Sequence, residues 1–150
     1  MLRDDLQNAL KEAMKEKNMP VVGAVRMIIA GMKEKDVEAR GKGKERAEDT
    51  ELLAMMQTMI KQRNESVKIY LEGNRPELAE KEKAEIEVIE SFLPKQLTDE
   101  EILNVVKETI TAIGAASVKD MGKVMAELKA KYAGQMDFGK ASGVIKSLLS

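Results

Sequence analysis

Apolar residues in this chain recur every three or four positions and almost never every second one, and that spacing commits it to helices. Leu2, Leu6, Ala9 or Leu10, and Ala13 form one such stripe, ending near Lys17-Asn18. β-branched residues never alternate with polar ones over the length of a strand, aromatics make up only 3%, and Ala, Leu, Met, Glu and Lys dominate. An all-α fold follows.

Breaks in the pattern divide the helices. Pro20 suits the first turn of a second helix, which turns Val22, Val25, Ile28 or Ile29, and Met32 inward before Gly41-Lys42-Gly43-Lys44 stops it. That Gly-Lys loop has the makings of a phosphate contact, but reads more simply as a solvated tip. A third helix from about Thr50 carries Leu52, Met55 or Met56, Met59 or Ile60, Val67 and Leu71 on one side. Its methionines read as adaptable core filler, and Gly73 is expected to supply the left-handed residue at its end. Pro76 opens a fourth helix, Glu77 to Phe92, with Leu78, Ile86, Ile89 and Leu93 stacked to pair antiparallel with the third.

Leu93-Pro94 stops the fourth helix, since a residue before proline resists helical geometry. The boundary is placed there, giving an N-terminal antiparallel helical bundle over residues 1–94 and a small C-terminal three-helix domain over residues 95–150. Thr98 with Glu101 forms a capping box, and Ile102, Val105 or Val106, Thr109, Ile110 and Ile113 mark the buried side of the helix it starts. Ser117 with Asp120 imitates that box for a sixth helix, with Met121, Val124 or Met125, Leu128 and Tyr132 inward until Gly134. Asp137 caps a seventh, carrying Phe138, Ala141, Ile145, Leu148 and Leu149.

Composition narrows the chemistry. With no Cys and no His there is no thiol nucleophile, no disulfide, and neither the commonest general base nor the commonest transition-metal ligand. No metal and no cofactor is expected. Apolar runs such as Met27 to Ala30 are far short of the roughly 20 residues that cross a bilayer, so no membrane partner is expected. The N-terminus also lacks an apolar signal core, which predicts a cytoplasmic location. Carboxylates abound, but they fall on outward helical faces where nothing shifts them toward acid–base work.

Two motifs rhyme: Asp120-Met121-Gly122-Lys123 and Asp137-Phe138-Gly139-Lys140. Asp-Phe-Gly is a magnesium signature in protein kinases only behind a catalytic loop, and this chain has no His to begin one. At about 100° per residue, Lys123 and Lys140 point away from their apolar stripes, leaving both amines open to an anion. Gly122 and Gly139 lie on the flanks of those stripes, where close helix packing explains them more cheaply than ligand contact. Although 25 basic residues balance 26 acidic ones overall, the segment from Gly114 sets Lys119, Lys123, Lys129, Lys131, Lys140 and Lys146 against Asp120, Glu127 and Asp137. Its surface is modestly basic.

Lys61-Gln62-Arg63, Gly73 with Arg75, Leu78-Ala79, Glu82, Glu85-Ile86, Phe92-Leu93-Pro94-Lys95-Gln96-Leu97 and Asp120-Met121-Gly122-Lys123-Val124-Met125 together resemble the YqeY family. The resemblance runs from Val25-Arg26-Met27 to Lys146-Ser147-Leu148-Leu149. It implies a two-part helical protein related to the tail of the B subunit of bacterial glutamine-dependent aspartyl/glutamyl-tRNA amidotransferase. In that enzyme the tail touches the tRNA elbow, while the amide-transfer chemistry belongs to other domains. The resemblance carries over Met121, Gly122, Lys123 and Met125, with Gly134, as the tail surface or its scaffold, and supplies no catalytic residue. Gln135 stands where relatives often have a basic residue.

The leading expectation is an accessory protein that binds tRNA through Lys119, Gly122, Lys123, Lys129, Lys131 and Lys140. A second is a protein-interaction module docking on an amidotransferase or another partner. A third, carbon–nitrogen ligase activity with glutamine as amido donor, rests on family association alone.

Overall fold

A computed structural model describes residues 2–150. Among them the order is α1 (Leu2–Lys15), α2 (Met19–Gly41), α3 (Asp49–Glu72), α4 (Pro76–Glu90), α5 (Asp99–Ile113), a 3-10 turn (Val118–Asp120), α6 (Met121–Lys131) and α7 (Phe138–Leu149). The all-α expectation holds, with an N-terminal bundle of α1–α4 and a C-terminal group of α5–α7. The chain forms two compact units, the first running to Leu93 and the second spanning Pro94–Ser150.

In the first unit, Leu6, Val25, Ile28, Ile29, Met32, Leu52, Met56 and Ile89 share one core. The α3–α4 hairpin is its most extensive helix pairing. Met56 is fully buried, while Met55 and Met59 pack partly buried against the core. Two polar clasps tie the elements. Arg3 donates from Nη1 and Nη2 to Asp36 Oδ2 and Oδ1 at 2.9 and 2.7 Å, and Nη2 also donates to Ala47 O at 2.9 Å. Ala47 N donates to Asp36 Oδ1 at 2.9 Å, so one carboxylate joins α1, α2 and the loop before α3. The Arg3 guanidinium, through its hydrogen bonds, holds that carboxyl at about 2, below its ordinary 3.8. In the second clasp Arg63 Nε donates to Glu85 Oε2 at 3.0 Å, and Nη1 donates to Met59 O at 3.1 Å.

The end of the α3–α4 hairpin departs from expectation. Gly73 has an ordinary φ of −83°, and the left-handed residue is Asn74 at φ 56°. Gly73 N donates to Ile69 O, whereas Arg75 N reaches back to Tyr70 O at 2.7 Å, which puts the reversal one residue later. Leu71 and Leu78, expected inward, are exposed, and Ala79 takes the fully buried place. Small side chains sit inside here because two backbones close together at a tight turn leave little room.

The second unit has a core of Ile102, Val106, Val124, Leu128, Met136, Ala141 and Ile145. Thr98 Oγ1 accepts from Glu101 N at 3.1 Å and Glu101 Oε1 accepts from Thr98 N at 3.2 Å, which completes the capping box. Gly114, at φ 75°, ends α5 in the left-handed region that a Cβ disfavours. Ile113 and Leu148 lie at the surface rather than inside, because the apolar stripe continues past the last turn that has a neighbour. Leu97 N donates to Gln135 O at 2.8 Å, and Gln96 Nε2 donates to Gly134 O, so the segment before α5 is stitched to the α6–α7 loop.

Candidate nucleic-acid interface

The basic surface starts from a cap. Asp120 Oδ2 accepts from Ala116 N at 2.9 Å and from Ser117 N at 3.4 Å, closing the loop that launches α6. The Ala116 and Ser117 amides, helped by the Lys123 charge, hold the Asp120 carboxyl below its ordinary range. The acid of the first motif is therefore committed to its own backbone.

Helix α6 buries Val124 and Leu128 and half-buries Met121 and Met125, which fixes what faces outward. Gly122, Ala126 and Ala130 are all exposed and four residues apart, so they drift only about 40° per step around the helix. Lys123 and Lys129 lie three residues to either side of Ala126, about 60° off its direction in opposite senses. The result is a smooth strip of small residues edged by two exposed ammonium groups. Lys119 is exposed in the 3-10 turn just ahead of it. Among the described residues, none of these three lysines pairs with a carboxylate.

Two other lysines expected at this surface have partners. Lys131 Nζ lies 3.0 Å from Glu127 Oε1, and that hydrogen bond raises the pKa of the ammonium. Lys140 sits on α7 with Nζ 3.8 Å from Asp99 Oδ1 of α5, so the expectation of an open amine holds for Lys123 and not for Lys140. Only five of the six expected residues share the 3-10 turn and α6; Lys140 belongs to another face.

The glycines also need correction. A Cβ on Gly122 would meet nothing within 4 Å, so packing inside this chain does not require a glycine there. At Gly139 a Cβ would meet Asp137 Oδ1 at 3.0 Å, the carboxylate that caps α7 by accepting from Gly139 N at 2.7 Å. The second motif is thus a helix cap, and the first leaves an unexplained opening. Gln135 is half-buried, with its carbonyl held by Leu97 N.

Sequence reading missed the Arg3–Asp36–Ala47 clasp and the fully buried Met136. Arg63 and Glu85 carry part of the family resemblance, but nothing in their spacing of 22 residues announces an ion pair. Among the described residues, no group of three or more acidic side chains could hold a metal ion. No helix of the described residues is long and apolar enough to cross a membrane.

Fold and surface describe a helical protein of two units, the second of which carries a lysine-edged helix. The model of the Yqey-like protein family matches residues 3–149, and the chain belongs to that family. With the family comes its relation to the amidotransferase B subunit. Among curated proteins it is similar to altered inheritance of mitochondria protein 41 of Candida glabrata, 36% identical over 59% of this chain and 47% of the relative. The protein of the same name from Pyrenophora tritici-repentis is 30% identical over 84% of this chain and 70% of the relative. The match to that of Lachancea thermotolerans is 33% identical over 59% of this chain and 46% of the relative. The chain thus spans about half the length of two of these relatives.

Each of these relatives is named as a mitochondrial protein, which overturns the cytoplasmic location expected from sequence. That expectation rested on a missing apolar signal core, whereas mitochondrial targeting segments are amphipathic and Arg-rich. Lack of an apolar core therefore carries no weight for the cytoplasm.

Proposed function

We propose that this chain is a tRNA-associated accessory protein that meets the RNA backbone with the outer face of α6 and has no catalytic site of its own. The carrying observation is Gly122, exposed in a helix with open space above it. A glycine in a helix interior costs about 1 kcal/mol relative to alanine; Gly122, second residue of α6, bears part of that cost, and no internal packing offsets it. A close-approaching partner gives the missing side chain a use. Lys119, Lys123 and Lys129 around the strip supply the charge for phosphates, so recognition runs through backbone and shape rather than base edges. Lys131 remains at the flank, and Lys140 contributes only if it leaves Asp99. The lack of His and Cys, together with the absence of an acidic cluster among the described residues, supports a binding role.

The test is a titration of folded tRNA at two salt concentrations with wild type, Lys123→Glu and Lys129→Glu. Affinity falls steeply with salt for wild type, and each reversal weakens binding and reduces the salt slope by about 1. Absence of binding at low salt sinks the reading.

A protein-docking reading has one observation of its own. Ile69, Leu71 and Leu78 are each exposed near the end of the α3–α4 hairpin, at 65%, 51% and 39%. A pull-down that recovers an amidotransferase subunit without RNA, and loses it on Ile69→Lys, favours that reading over the first.

A further inference from the structure

The second unit has a feature that RNA binding leaves unused, an open groove between α5 and α7 with a volume of about 480 Å³. Its apolar lining is Ile102 and Leu103 from α5 and Val144 and Leu148 from α7. Leu148 is 41% exposed, although the rest of its helix face is core. Gly143 leaves a gap in the α7 wall, since a Cβ there would meet nothing within 4 Å. Asp99 on the α5 wall and Lys140 on the α7 wall stand at the groove, 3.8 Å apart and both well exposed.

We propose that this groove is the contact between two copies of the chain, related by a two-fold axis running along it. The argument is charge complementarity of a particular form. A two-fold along the groove lays each α5 wall on the other copy's α7 wall. Asp99 of each copy then meets Lys140 of the other, so one weak internal pair becomes an alternating ring of two acids and two amines. The apolar register agrees with it. Leu103 lies four residues after Asp99, while Gly143 and Val144 lie three and four after Lys140, so each Leu103 falls at the height of the other copy's gap. An isologous contact needs this kind of self-complementarity, with the half-buried Leu103 and the gap that takes it on the same surface. A neutral groove with one sign of charge at its edge would instead call for a different partner. Only four apolar side chains per copy take part, so the dimer belongs to the small, weak interface class, below about 1,200 Å² in total.

The experiment is sedimentation equilibrium of the full chain across a wide concentration range, with circular dichroism to confirm that each variant is folded. Wild type shows a reversible monomer–dimer equilibrium. Asp99→Lys and Lys140→Asp each raise the dissociation constant roughly tenfold, because each turns two attractive contacts into repulsive ones. Mixed in equal amounts, these two variants associate with one another at least as tightly as wild type, since every cross-contact is again opposite in sign. An internal role for the Asp99–Lys140 pair does not produce that recovery in the mixture. Leu148→Glu, at a site already exposed, weakens the dimer while leaving the helical signal intact. A monomer at every concentration overturns the proposal and leaves the groove to another partner or to solvent. A dimer indifferent to the charge reversals, or a mixture that fails to associate, overturns it as well.

Discussion

Among the described residues both units carry exposed ion pairs, such as Lys35–Glu38 in the first, but the inward-turned pairs belong to the first unit. In the first, Arg3 and Asp36 turn inward with side chains only 20% and 12% exposed, and Arg63 and Glu85 with 14% and 18%. These pairs join elements 22 to 33 residues apart. In the second, the side-chain ion pairs Lys131–Glu127 and Lys140–Asp99 are far more exposed, and the core is apolar. Its connections are local caps and two bonds to the Gly134–Gln135 backbone. A family motif therefore means different things in different places. Arg63 and Glu85 are fasteners, whereas Gly122 meets no neighbour and Lys123 is exposed, with no carboxylate in ion-pair contact and only its charge acting on Asp120. Charge changes should accordingly damage stability in the first unit and association in the second.

The largest test of that contrast is Asp36→Ala. It takes the counter-charge from the Arg3 guanidinium, which keeps only Ala47 O, and leaves the buried Ala47 N–H without its acceptor, and should destabilise the first unit by about 3 kcal/mol. Urea denaturation with unit-resolved hydrogen exchange checks it, and tRNA affinity measured on the folded protein should stay within twofold of wild type. A loss of RNA binding matching the loss of stability would break the division of labour.

Acid provides the next test. The Asp36 carboxyl is depressed from 3.8 to about 2 by its Arg3 partner, so the unfolded chain binds its proton more readily. That contribution is complete above about pH 4, declines as pH falls, and is gone below about 2, a loss of order 2 kcal/mol. Comparing the acid limb of the stability profile for wild type and Asp36→Asn isolates it. The first unit of the variant should show a flatter limb between pH 4 and 2.

A smaller effect sharpens the picture of the second unit. Thr98→Ala removes the acceptor for Glu101 N and should cost about 1 kcal/mol. The loss should show as earlier exchange of the α5 amides, with the amides of the first unit unchanged. If both units lost protection together, the local character of these bonds would be wrong.

How much of this was legible beforehand depended on the range of each interaction. Helix type, the Thr98 and Asp137 caps and the antiparallel α3–α4 hairpin follow from neighbours in sequence, and they could be read. The Arg3–Asp36 clasp could not, because an arginine in a first turn and an aspartate in a charged helix each look solvated until 33 intervening residues fold back. Gly73 looked like the left-handed residue from composition, but Asn also tolerates that conformation, and the hydrogen bond from Arg75 to Tyr70 places it at Asn74. Gly122 was expected to serve packing because most helical glycines with apolar neighbours do. Only the open space above it separates that use from an outward-facing one.

That space also supplies the most direct measurement. Gly122→Gln adds a side chain where no atom of the chain stands within 4 Å, so the fold should keep or gain stability, by up to about 1 kcal/mol. Thermal melting and tRNA titration are run on the same preparation. The account predicts an unchanged or higher Tm with affinity reduced tenfold or more. Unchanged affinity in the stable variant would contradict it, because the outer face of α6 would then not be where the RNA approaches.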